Sequence, residues 1–375
     1  RLPNMDLDFT EEQQMVIDMT RTMLEEHCDA QVVRDAEDDP KGYPDALWKQ
    51  MSELGLNGLL IPESYGGGEQ TILEGAFVYE ELGRAMAPTP HFVSCVVSAK
   101  LLLAAGNDAQ KNAWLEKIAN GDSILTPAWL EPQRGFSAKG IAVKAESDGK
   151  GFKITGRKRS VAYASSADQL IVLARTDAGV DLFLVDPNAS GITMKQLLSQ
   201  GREAQYQIDF DGVSVSADDR IGAAGSGWAT WTAVMQESVI LLAASAIGGA
   251  DRCLMETVEY ANARIQFDKP LGAFQSLSHY MADASTSIDG GRVLVHEAAW
   301  NASQGRSVAR FGPMAKLFCC EAYRETTRVC SQIWGGVAFT IEYDQQMFFR
   351  RAKALQLTWW DTPYLEELIA ADVLD

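Results

Sequence analysis

Apolar residues recur at three- and four-residue spacing from Ala233 to Tyr260, inside the stretch WATWTAVMQESVILLAASAIGGADRCLMETVEYANAR. That period predicts a single long helix, Trp228 to Arg264, with a wide buried stripe. At ~1.5 Å per residue it would be roughly 50 Å long, enough to cross a domain. The pattern stops at Arg264, and Lys269-Pro270 follows, a break that no helix interior tolerates.

The rest of the chain falls into three textures. From Asp8 the helical period returns in FTEEQQMVIDMTRTMLEEHC, with Thr10 as N-cap and Glu12 and Gln13 in the first turn. Four more helical runs follow, separated by Gly/Pro-rich breaks such as IPESYGGG, residues 61–68. From Ile124 the segments shorten and alternate: GIAVKAES, GFKITGRKRSV, DQLIVLART, VDLFLVD, YQIDFDGVSV. ESDGKGFKI reads as a hairpin around a Gly-rich turn. With no helical run between the strands, an α/β unit is disfavoured and a small antiparallel barrel or sandwich is expected. After Gly227 the chain is helical to its end. The expected fold is therefore α+β and multidomain: an N-terminal all-α domain (1–123), an inserted β domain (124–223) and a C-terminal four-helix bundle (224–375).

Composition narrows the chemistry. The net charge of −18 speaks against nucleic-acid binding, which needs clustered cations. It leaves room for a phosphate held by a few local arginines. No uninterrupted apolar run approaches the ~18 residues of a membrane span, so no membrane partner is expected. The opening RLPNMDLDF lacks the pattern of a secretion signal, and the expected location is the cytoplasm, a removed targeting segment staying open. The six cysteines and four histidines are dispersed, with no C-x-x-C and no metal-ligand spacing, so no metal is expected.

Three stretches, in order and spanning nearly the whole chain, resemble the acyl-CoA dehydrogenase family of flavoproteins. LGLNGLLIPESYGGG (54–68) is similar to its G-[LV]-x-x-x-x-x-P-x-x-x-G-G signature. ARIQFDKPLGAFQ (263–275) is similar to its R-x-x-F-G-x-x-[LI]-x-x-x-Q turn, and QIWGGVAFT (332–340) to its Q-x-x-G-G-x-G motif. The resemblance implies FAD as cofactor, an acyl-CoA substrate dehydrogenated at Cα–Cβ, and an electron-transfer flavoprotein as electron acceptor. It places Arg264 on the FAD pyrophosphate, with Gln266, Phe267, Leu271 and Gln275 beside the dinucleotide. Gln332, Gly335 and Gly336 would let the backbone approach the adenosine half. In the family these groups reach a neighbour's flavin, which implies a homotetramer or an α2β2 heterotetramer with a homologous subunit.

Matched positions also depart from the family. The A-x-T-E-P strand reads Ala128-Trp129-Leu130-Glu131-Pro132, and W-x-T-N-G reads Ser160-Val161-Ala162-Tyr163-Ala164. The catalytic glutamate falls, in the family's three arrangements, at Trp359, Ser238 or Ser245. The last belongs to the branch with FQ-x-x-x-H and G-G-x-x-F-T-x-E-x-D, which this chain most resembles. Ser238 and Ser245, seven apart, are expected to face one site. Glu237, beside Ser238 on apolar surroundings, is the expected catalytic base. A second expectation is a base-less partner of a heteromeric dehydrogenase for bulky acyl-CoA thioesters. Asp361, two residues past Trp359, invites a same-fold flavin oxidase or monooxygenase, and Ser160 with Ala162 a scaffold subunit without flavin.

Overall fold

The computed structural model describes residues 9–374; residues 1–8, the opening whose pattern speaks against a secretion signal, lie outside them. Six helices come first: α1 (Glu11–His27), α2 (Ala30–Asp38), α3 (Asp45–Glu53), α4 (Ile72–Arg84), α5 (Ala99–Ala105) and α6 (Asp108–Ala119). Thr10 caps α1 as its side chain accepts from Gln13 N, and Gln13 answers with Oε1 on Thr10 N, a reciprocal capping box. A π-helical stretch, Phe92–Ser98, runs straight into α5.

Strands then run from residue 125 to 221. They are β1 (Leu125–Ala128), β2 (Lys144–Ser147), β3 (Gly151–Ala162), β4 (Gln169–Thr176), β5 (Gly179–Val185), β6 (Ile192–Leu197), β7 (Gln205–Ser216) and β8 (Arg220–Ile221). The hairpin at Asp148-Gly149-Lys150 joins β2 to β3 antiparallel, Ser147 opposite Phe152. Of barrel and sandwich, the sheet takes the open form, with order β6-β7-β3-β2-β4-β5-β8. It is not purely antiparallel, because β1 and β2 both lie parallel to β4. The reason lies in β1, which arrives from the helical domain rather than from a hairpin and, itself buried throughout, enters beside the buried Leu170–Ala174 stretch of β4.

The C-terminal part is α7 (Gly227–Ala263), a two-residue hairpin β9 (Ile265–Gln266)/β10 (Lys269–Pro270), then α8 (Gln275–Ser303), α9 (Phe311–Trp334), α10 (Gln345–Leu357) and α11 (Thr362–Leu374). α7 to α10 form the bundle and α11 packs on α9. Among the described residues α7 alone is long and apolar enough to cross a membrane. Its most apolar window is 78% buried by the protein itself, as for the axis of a core. One continuous apolar core runs through all three regions.

α4 crosses α7 at backbone contact. A Cβ on Gly83 would stand 2.0 Å from Ser245 O, and one on Gly248 would stand 1.8 Å from Glu80 O. Glycine is required at both positions, and this close crossing brings the N-terminal helices onto the middle of α7, where a cavity forms.

Candidate active site and cofactor surface

The sequence-assigned groups separate into two places. The first is the end of the bundle where α7 and α9 finish. There Trp334 stacks on Tyr260 with ring centroids 4.0 Å apart, and its indole donates to Thr257 Oγ1 at 3.0 Å. This contact brings the Arg264 turn and the Gln332–Gly336 turn to one end. Phe267 and Asp268 both have positive φ (51° and 65°), the two-residue turn that a tight right-twisted hairpin demands. The turn is pinned at its base by Leu271 N donating to Arg264 O at 2.9 Å.

Everything else at this end faces outward. Arg264, Gln266, Gln275, Gln332, Gly335 and Gly336 are exposed, Leu271 is half-buried, and Phe267 is 86% exposed. Among the described residues the Arg264 guanidinium has no ion-pair or hydrogen-bond partner. A Cβ placed on Gly335 or Gly336 would meet nothing within 4 Å. A free planar cation, an exposed ring and a bare two-glycine stretch of backbone suit a dinucleotide: bidentate donors for the pyrophosphate and close approach for the rest.

The second place is a cavity of about 200 Å³ between α2, α4, the β domain, α7, α9 and α10. Ser245 and Trp359 both line it, so two of the three positions expected to carry the glutamate do converge. Ser238 does not. It is fully buried and donates to Val234 O at 2.7 Å. Seven residues bring it to the same face but move it about 10 Å along the axis, past the end of the cavity.

Glu237, the expected base, is also displaced: it stands about 12 Å along α7 from Ser245 and about 80° around it. Its carboxylate is held by Lys100 Nζ at 2.9 Å on the α5–α7 seam and lines no part of the cavity. Asp361 serves as the cap of α11, its Oδ1 accepting from Tyr364 N at 3.1 Å.

Sequence reasoning missed the acids that do line the cavity. Glu37 is spoken for, with Arg350 at 2.9 Å and Arg351 at 2.7 Å. Among the described residues the carboxylate of Glu203, in the loop entering β7, makes no salt bridge and accepts one hydrogen bond, from Gln205 Nε2 at 3.2 Å. Desolvation raises its pKa, opposed by the Gln205 bond and the charge of Arg351. Nothing in its local pattern, QGREAQYQ, marks it; only the packing of its loop on α10 does.

A block of aromatic rings stands behind Trp359, which lines the cavity together with Phe92. Trp129, 5% exposed, lies 5.1 Å from Trp231, 5.6 Å from Phe136 and 6.1 Å from Trp359, the last nearly parallel at 20°. Phe92, from the π-helical stretch, meets Trp359 edge-on at 5.1 Å. Trp129 is fixed from behind by a buried ion pair. Lys158 Nζ donates to Glu131 at 2.7 Å and to Trp129 O at 3.1 Å, while the Glu131 carboxylate also accepts from Ala142 N and Val143 N. Burial lowers the Lys158 pKa to about 8, against the pull of Glu131.

A fold of helical, β and helical-bundle regions, with a dinucleotide-suited turn at the end of α7, defines a flavin-dependent oxidoreductase. The acyl-CoA dehydrogenase N-terminal, middle and C-terminal domains match residues 10–122, 127–213 and 225–370, and the chain belongs to the acyl-CoA dehydrogenase family. It is 28% identical over 357 residues to the acyl-CoA dehydrogenase FadE27 of Mycobacterium tuberculosis, covering 93% of each chain. It superposes on a chain of the ChsE4–ChsE5 complex of the same organism with a TM-score of 0.91 at 26% identity, covering 99% of both. Butyryl-CoA dehydrogenase from Megasphaera elsdenii gives a TM-score of 0.91 at 26% identity, covering 99% of this chain and all of that one.

FAD is the cofactor of this enzyme family and of this protein, and the chain's residues fit it unequally. The exposed end fits, on the free Arg264 and the bare Gly335-Gly336 backbone. The ring-facing positions of the chain's own β domain do not. Leu130, Ser160 and Ala162 stand where the resemblance expects a threonine hydroxyl, a tryptophan and a second threonine.

Proposed function

We propose that this chain is the base-less partner in an α2β2 FAD-dependent acyl-CoA dehydrogenase. The assembly introduces a Cα–Cβ double bond into an acyl-CoA thioester and passes electrons to an electron-transfer flavoprotein. The observation that carries the reading is the cavity itself. Ser245 and Trp359 face it without a carboxylate, Glu237 is tied to Lys100 outside it, and aromatic rings fill the wall. In this arrangement the chain's contribution is at its other end. Arg264 donates to the pyrophosphate of a flavin seated in the homologous subunit, Phe267 covers it, and Gly335-Gly336 receive the adenosine half. Bound FAD supplies the two-electron acceptor, and the partner's carboxylate the proton acceptor.

Two features support assembly in trans. Ser245 and Arg264 are nineteen residues apart along α7, roughly 28 Å, so the cavity at mid-helix and the cofactor surface at the helix end are well separated. The Arg264 end also leaves Phe267, Phe339 and Ile341 exposed at 86%, 67% and 78%, apolar surface of the kind that subunits cover. The test is a flavin spectrum. Purified alone the chain should be colourless, and co-expressed with a homologous acyl-CoA dehydrogenase chain it should be yellow and reducible by acyl-CoA. A yellow, acyl-CoA-reducible chain on its own refutes the partner reading.

One observation favours a second reading, a self-contained homotetrameric enzyme. Among the described residues Glu203 is the cavity carboxylate that makes no salt bridge, and its raised pKa suits a proton acceptor. Under that reading Glu203→Gln abolishes reduction of a chain that is yellow when pure.

A further inference from the structure

The turn that carries Trp359 into the cavity is held in an unfavourable shape. Trp359 and Trp360 have φ of 52° and 78°, two consecutive bulky residues in the left-handed region, where side chains of this size are rarely found. Such conformations persist only where the surroundings over-determine them. Here the surroundings include Lys316, a lysine on α9 that is fully buried. Among the described residues it has no carboxylate in salt-bridge range. Its ammonium instead donates to Trp360 O at 2.8 Å and Leu355 O at 3.1 Å.

The arrangement has a clear physical logic. An ammonium buried without an anion is costly unless its donors are used. Leu355 belongs to the last turn of α10, whose carbonyls lack helical partners and carry the negative end of the helix dipole. Lys316 therefore caps α10 from the side and, with the same group, fixes the carbonyl of the left-handed Trp360. Burial lowers its pKa, while Cys320 and Asp361 act in the opposite sense. The Trp360 ring is fully buried on one side of the turn. That leaves the Trp359 ring on the other side, between Phe92 and Trp129.

We propose that Lys316 is the positioning residue for one wall of this chain's cavity: it clamps the Trp359–Trp360 turn so that the Trp359 ring forms that wall. Without the clamp the turn relaxes out of the left-handed region, the Trp359 ring leaves the stack, and the cavity widens toward solvent and small apolar ligands. The inference concerns the cavity and holds whether the base lies in this chain or in a partner.

The experiment compares Lys316→Met, Trp359→Phe and the double variant as full chains, co-expressed with the partner if the protein needs it. Tryptophan emission, acrylamide quenching and the fluorescence of added anilinonaphthalene sulfonate are read. Lys316→Met should shift emission to longer wavelength, raise quenching and raise dye binding. In the Trp359→Phe background the emission and quenching changes should vanish, because the moving reporter, one of nine tryptophans, is gone. Quenching in folded Lys316→Met equal to wild type overturns the proposal. So does a gain that persists unchanged with Trp359→Phe, since the lysine would then support the fold without acting on this ring. If Lys316→Met does not fold, Lys316→Gln, whose amide still donates to one carbonyl, takes its place. It should show the same Trp359-dependent gain in smaller degree, and no gain at all refutes the idea.

Discussion

Arg264→Ala isolates the proposed contribution of this chain to the flavin. In the structure the Arg264 side chain is exposed and unpaired, and its two backbone hydrogen bonds, to Tyr260 O and from Leu271 N, do not need the guanidinium. The fold should lose almost nothing; surface substitutions of this kind stay within about 0.5 kcal/mol. The loss falls on the ligand. A charge-assisted hydrogen bond from a guanidinium to phosphate is worth about 1.5–3 kcal/mol, which converts to roughly 10- to 150-fold weaker FAD binding. Arg264→Lys keeps the charge but not the two-pronged geometry and should fall between. The assay is an FAD titration of the flavin-depleted, assembled protein at two ionic strengths, beside a melting curve and a mass measurement of the assembly. Wild type should weaken as salt rises and Arg264→Ala should weaken less, because the screened contact is missing. Unchanged FAD affinity in Arg264→Ala, with the assembly intact, would remove the dinucleotide from this turn.

Three shorter predictions follow from the same geometry. Glu237→Gln should leave acyl-CoA-dependent flavin reduction intact in the assembled enzyme and cost no more than about 1 kcal/mol in a denaturant titration, since its partner Lys100 is a partly exposed pair; loss of reduction would restore it as the base. Glu131→Ala strands the buried Lys158 ammonium and two backbone N–H groups, so it should destabilise by about 3–5 kcal/mol in urea unfolding and shift the Trp129 emission; Glu131→Ala together with Lys158→Met should recover part of the loss. His91 is buried and neutral, with Tyr79 Oη at 2.8 Å and Leu56 O at 3.0 Å, and desolvation lowers its pKa from 6.5 to about 4. The unfolded chain therefore binds a proton that the folded chain refuses between those values. Stability should be full above pH 6.5 and fall by about 3 kcal/mol as pH drops to 4. The slope of unfolding free energy against pH should flatten in His91→Gln, and an unchanged slope would assign acid sensitivity elsewhere.

What could be read from residues alone was local. The α7 period, the Thr10 cap with Gln13, the Gly-rich β2–β3 hairpin and the Arg264 and Gly335 turns each depend on neighbours within a few positions, where backbone sterics and hydrogen bonding decide the shape. The Arg264–Gln275 and Gln332–Gly336 stretches were therefore legible as surface features before any coordinates. The cavity was not. Ser238 and Ser245 share a helical face, yet only the crossing of α4 at Gly83 and Gly248 determines which of them meets open space. Glu237 looked free because its partner, Lys100, lies 137 positions away. Glu203 drew no reading from its own segment, and only the packing of its loop on α10 places it at the cavity. Lys316, unremarkable inside an apolar helical run, acquired its task when two carbonyls some forty residues downstream turned toward it. Periodicity reports which side of an element is buried, since burial follows the repeat of the backbone. It does not report which buried side chains face one another, because that depends on how elements cross, and crossing is settled by packing over the whole chain.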